Sequence, residues 1–102
     1  MVFGREGLDE VSISGETDII EIRDGTKKRY TVTPDDFGVR CSSLKAILGG
    51  DVNLNAEIII RVLSGEKSSY RDAVVINSAM ALIAGGKAKD FLEGKKLAEE
   101  VL

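Results

Sequence analysis

Apolar and polar positions divide the chain into a strand-rich front and a helix-rich back. Asp18 to Arg23 and Lys28 to Thr33 flank Asp24-Gly25, a dipeptide that tolerates the positive φ of a tight hairpin turn. Ile20 and Ile22 share one face of the first strand, and Tyr30 and Val32 share one face of the second. Charged residues fill much of the rest, so the pattern predicts a β-hairpin covered on one side. Upstream, Val2-Phe3 is a short apolar opening broken by Gly4 and Gly7. Val11 to Ser14 alternates apolar and hydroxyl residues, which predicts a short strand or strand end. Thr33-Pro34-Asp35-Asp36-Phe37-Gly38 leaves the sheet through a proline turn.

The back half reads as helices. Ser43 to Leu48 suits a short helical turn that ends at Gly49-Gly50. Asp51 is a candidate N-cap for a helix to Ser64, with Gly65 at C′. Ala56, Ile59, Ile60 and Leu63 stand at i, i+3, i+4 and i+7, which predicts one buried stripe. Ser69-Tyr70-Arg71-Asp72 has the spacing of a capping box and opens a second helix to about Ala84, closed by Gly85-Gly86. That helix is apolar on nearly every face and calls for cover on more than one side. Asp90-Phe91-Leu92-Glu93 opens a third, with Leu97, Ala98, Val101 and Leu102 as its stripe. A lone hairpin, an all-round apolar helix and a stripe running to the last residue are more apolar surface than 102 residues can bury. The expectation is a fragment of a larger α/β protein, with residues 1–38 strand-rich and 43–102 helical. Left alone, it is expected to self-associate.

Composition narrows the chemistry. Hydrophobic residues make up 43% and charged residues 30%, the balance of a globular chain. A net charge of −3 gives no basic surplus for a nucleic-acid backbone, so no nucleic-acid partner is expected. The longest apolar runs, such as Ile58-Ile59-Ile60, are too short to cross a membrane, and no secretory signal opens the chain. The single Cys41 fits a reducing compartment, and the cytoplasm is the expected location. With no His and one Cys, oxygen-ligated Mg²⁺ or Ca²⁺ is the metal class left to this chain.

Few residues then offer chemistry. Asp9-Glu10 follows a glycine-containing loop; side chains that neighbour in extended backbone diverge, so the pair suits two ions, or one ion held through shared waters, or a solvated acidic turn. Lys27-Lys28-Arg29 fits a solvated hairpin tip. Asn77, inside an apolar helix, needs hydrogen-bond partners and reads as structural. Cys41 has no nearby base to make it a nucleophile. Gly49-Gly50-Asp51 lacks the lysine of a phosphate loop and reads as a turn and cap.

Several segments in order resemble anthranilate phosphoribosyltransferase of tryptophan biosynthesis: Gly7-Leu8-Asp9-Glu10-Val11-Ser12, Thr33-Pro34-Asp35-Asp36-Phe37-Gly38, Gly49-Gly50-Asp51 with Asn55-Ala56, Leu63-Ser64-Gly65-Glu66, Arg71-Asp72-Ala73-Val74 with Asn77, and Gly94 with Leu97-Ala98. The resemblance covers essentially the whole chain but only the last third of the family's. It implies the carboxy-terminal part of the α/β domain, on a fold shared in outline with the pyrimidine nucleoside phosphorylases. It also implies transfer of a phosphoribosyl group from phosphoribosyl pyrophosphate to anthranilate, with Asp9 and Glu10 as Mg²⁺ ligands. The family's pyrophosphate loop, its Lys-His-Gly-Asn-Arg stretch and its anthranilate-contacting arginine have no counterpart here, and Phe3 stands where the family often has His. No catalytic or substrate-binding residue is therefore carried over, and the chain alone is expected to be inactive, its partner being the remainder of the enzyme. A free-standing interaction module and a pyrimidine nucleoside phosphorylase relative are the alternatives; the Pro-Asp-Asp-Phe-Gly segment and the Asp-Glu pair favour the first reading.

Overall fold

The computed structural model describes residues 2–4, as backbone, and residues 7–102. Three strands come first: β1 (Val2–Gly4), β2 (Thr17–Arg23) and β3 (Thr26–Val32). They form one antiparallel sheet in the order β1-β2-β3. The hairpin turns where expected, with positive φ at both Asp24 (51°) and Gly25 (78°), as a two-residue turn matched to strand twist requires. The short opening at Val2 pairs with β2 at Ile19, so the hairpin is not alone.

Register decides which face is inside. Thr17 lies opposite Val32 and Ile19 opposite Tyr30, so these four share the covered face. Ile20 and Ile22 do share a face, as the alternation says, but it is the outer one; Ile22 is 74% exposed. A two-residue turn fixes the pairing, and the pairing puts Ile19 on the same side as Tyr30. Residues 11–14 are not a strand. They form an irregular loop whose Val11, Ser12 and Ile13 are nonetheless buried.

Two short 3-10 turns, Pro34–Phe37 and Leu44–Ile47, lead to the helices α1 (Val52–Leu63), α2 (Ser69–Ala84) and α3 (Phe91–Val101). Asp51 caps α1 by accepting from the Leu54 amide at 2.8 Å, and Asp90 caps α3 by accepting from Glu93 at 2.8 Å. The cap of α2 is Ser68, one residue earlier than the sequence spacing indicates; its hydroxyl accepts from Arg71 at 3.2 Å. Ser69 lies inside the helix, and its hydroxyl faces that of Ser42 at 3.2 Å.

The core joins Ile19 and Val32 of the sheet to Ile76 and Ala79 of α2, with Val11, Ile13, Phe37 and Val39 filling between. The Phe37 ring packs on Phe91 of α3 at 4.8 Å between centroids. The expected stripe on α1 is not buried. Val62 is covered, whereas Ile59, Ile60 and Leu63 stand open, Ile60 at 64%. The 3.6-residue period groups side chains on a face but does not supply that face with a neighbour, and the described residues have none to give. On α3, Gly94 and Ala98 face α2, while Val101 is 87% exposed.

Candidate functional site

The loop between β1 and β2 carries the acidic pair. Gly7, at φ 86°, turns the chain into it. Asp9 and Glu10 are exposed, and the very next residues drop into the core. Both carboxylates sit on the rim of a cleft of about 510 Å³ between the hairpin and α2, with Ile19, Tyr30, Asn77 and Met80 among its walls.

The backbone just after the pair is held on every side. The Val11 amide donates to Asn77 Oδ1 at 2.9 Å, and Asn77 Nδ2 donates to the Val11 carbonyl at 3.1 Å. The same Nδ2 also reaches the Ala73 carbonyl at 2.9 Å, one turn back in α2. The Ser12 amide donates to Thr17 Oγ1 at 2.9 Å, and the Ser42 amide donates to the Ile13 carbonyl at 2.8 Å. Cys41 Sγ, exposed, lies 3.2 Å from the Ser14 carbonyl and is spent on that contact. The loop has no ladder to satisfy its buried peptide groups, so the Asn77 and Thr17 side chains and the Ser42 amide do it instead.

The oxygen donors of Asp9 and Glu10 are of the chemical class that hard divalent cations take. Among the described residues no group of three or more His, Cys, Asp or Glu side chains converges as a metal cage. Two open carboxylates beside a roomy cleft are what Mg²⁺ accepts, since it keeps waters and takes phosphate oxygens to complete its octahedron.

The other candidates are committed elsewhere. In the basic run, Arg29 lies 3.9 Å from Asp18 and the Lys28 ammonium 5.5 Å from the Tyr30 ring centre. At the glycine turn before α1, the Asn55 side chain clamps both the amide (2.9 Å) and the carbonyl (3.1 Å) of Gly50, a turn and cap as read from sequence. Arg71 reaches across to α3, 3.8 Å from Glu99, which also meets Lys95 at 3.4 Å. Burial pushes the neighbouring Asp72 carboxyl above its ordinary range, against the opposing pull of Arg71 and Lys95. Sequence reasoning saw that Asn77 needed partners but not that they lay 66 residues away at the acidic pair; no local spacing carries that signal.

The family described as glycosyl transferase family, a/b domain, matches residues 1–102. Anthranilate phosphoribosyltransferase of Methanobrevibacter smithii is 45% identical over 101 residues, 99% of this chain and 30% of the relative. The crystal structure of anthranilate phosphoribosyltransferase from Thermus thermophilus is 36% identical with a TM-score of 0.88, over 99% of this chain and 30% of that one. The Saccharomyces cerevisiae enzyme in complex with PRPP and Mg is 29% identical with a TM-score of 0.89, over 98% of this chain and 29% of that one. The chain spans about 30% of the length of the curated relatives it matches.

Proposed function

The chain belongs to the glycosyl transferase family and its a/b domain, and from that premise we propose that it is the carboxy-terminal part of an anthranilate phosphoribosyltransferase. The reaction is transfer of the phosphoribosyl group of phosphoribosyl pyrophosphate to the amino nitrogen of anthranilate, with release of pyrophosphate. The observation that carries the reading is the acidic pair: Asp9 and Glu10 stand open on a cleft while the backbone beyond them is pinned into the core. The extent of the match supports it, since the likeness to the yeast enzyme in complex with PRPP and Mg runs through 98% of this chain.

In this proposal Asp9 and Glu10 hold Mg²⁺ beside the pyrophosphate, and the bound ion offsets the negative charge gathering on the leaving group. The chain's own work is placement. Asn77 and the core anchor the loop, and the apolar wall of Ile19, Tyr30 and Met80 bounds the cleft beneath the carboxylates. The rest of the enzyme supplies the substrate-binding groups and covers the open face of α1, where Ile59, Ile60 and Leu63 lie. A cytoplasmic location accords with this biosynthetic role.

The test is steady-state kinetics of the complete enzyme across a Mg²⁺ titration. Asp9→Asn and Glu10→Gln keep shape and remove one charge each. Turnover is expected to fall about tenfold or more, equivalent to about 1.4 kcal/mol of transition-state stabilisation. The Mg²⁺ concentration for half activity should rise, with the KM for anthranilate little changed. The 102-residue chain by itself should show no transferase activity. Wild-type kinetics in the double variant would sink the assignment of the pair.

A further inference from the structure

We infer that Asn77 is a positioning residue for the Asp9–Glu10 pair: its amide, reaching from the third turn of α2, holds the Val11 peptide and with it the place on the backbone from which the pair reaches a divalent cation. This rests on the reading of the pair given above. Three distances carry the argument: Val11 N to Asn77 Oδ1 at 2.9 Å, and Asn77 Nδ2 to the carbonyls of Val11 at 3.1 Å and Ala73 at 2.9 Å.

A side-chain amide offers one acceptor oxygen and two N–H donors, and every one is used here. The opposite amide orientation would set Nδ2 against the Val11 N–H, donor to donor, so the network itself fixes which atom is oxygen. The bond to Ala73 locks the side chain to its own helix, so the hook is rigid at its root. Val11 is buried, and its peptide groups cannot turn to water if the hook is lost. The Val11 N–H also belongs to the planar unit that contains the Glu10 carbonyl and the Glu10 Cα. Holding that N–H therefore holds the plane of this peptide and the position of the Glu10 Cα, the point from which the Glu10 side chain departs. The carboxylates themselves are exposed. Their placement comes through the backbone, and Asn77 is the side chain that grips it from across the cleft. Supporting groups of this kind around metal ligands typically change affinity about 10- to 100-fold.

The experiment measures Mn²⁺ binding to the complete enzyme by electron paramagnetic resonance, with inorganic pyrophosphate supplying the phosphate oxygens and no turnover involved. Asn77→Ala removes the hook. Asn77→Ser keeps a hydroxyl able to return to the Ala73 carbonyl but too short to reach Val11, so it preserves the helix. Val62→Ala, a buried truncation on α1, serves as the control for general loosening. Both Asn77 variants should bind Mn²⁺ about 10- to 100-fold more weakly, with Val62→Ala at the wild-type affinity. Wild-type affinity in either folded Asn77 variant, alongside weakened binding in Glu10→Gln, overturns the positioning role and leaves the pair standing. An equal loss in Val62→Ala overturns it too, since stability alone would then explain the effect. Undiminished binding in Asp9→Asn and Glu10→Gln removes the metal reading beneath it.

Discussion

Replacing Phe37 by Ala is expected to destabilise the protein by about 3 to 5 kcal/mol, the usual range for a fully buried phenylalanine. The ring is 0% exposed. It sits in the 3-10 turn that leaves the sheet and packs, tilted, against Phe91 at 4.8 Å, and Phe91 in turn lies 6.5 Å from Tyr30 on the hairpin. One side chain thus ties the strand exit to the start of α3. The turn that presents it is fixed by Pro34 and by Asp36, whose carboxylate accepts from the Thr33 amide at 2.8 Å, so the backbone cannot readily collapse into the vacated space. Phe37→Leu keeps most of the volume and should cost about 1.5 kcal/mol or less. Urea unfolding followed by circular dichroism reads both, and a shift below about 1 kcal/mol for the alanine variant would refute this account of the core.

At Gly94 the expected effect is a steric one with the opposite sign from helix propensity. Alanine in a helix is worth about 1 kcal/mol over glycine. Here a new Cβ would lie 3.0 Å from the Ala79 Cβ, 3.0 Å from its carbonyl oxygen and 3.1 Å from its Cα. Two of these atoms are backbone and cannot rotate away. Overpacking of this kind costs about 1 to 3 kcal/mol. Gly94→Ala should therefore be neutral to destabilising despite its better propensity, and Gly94→Val, with two further methyl groups, should lose about 3 kcal/mol. The same unfolding measurement decides it; an alanine variant more stable than wild type would mean the helices are not in such close contact.

Local chemistry was legible and long-range placement was not. The Asp24-Gly25 turn, the Asp51 and Asp90 caps and the three helices follow from residues close in sequence, and all appear. The errors share a cause. Ile59, Ile60 and Leu63 have the right period for a stripe, and Ile20 and Ile22 for a strand face, yet burial depends on what stands opposite, which periodicity does not encode. Ser69 lost the cap to Ser68 because both are serines at the same helix start. The loop from Val11 to Ser14 mimics a strand because its apolar residues are buried, although side chains and the single Ser42 amide, not a ladder, hold its peptides. Within the site, Asp9 and Glu10 were visible as a pair. Their support was not, since Asn77 meets Val11 only once the chain has folded.

That meeting has a kinetic side. The Val11 amide hydrogen is held by a residue 66 positions later, in a contact that exists only while α2 lies against the loop. Contacts of such sequence separation require closure of a long loop and tend to consolidate late in folding. The amide should exchange with deuterium only through openings that lift α2 away, at a free energy near that of global unfolding. The acidic pair would then be among the last features to acquire its shape, and the Val11 proton would keep the time of its assembly.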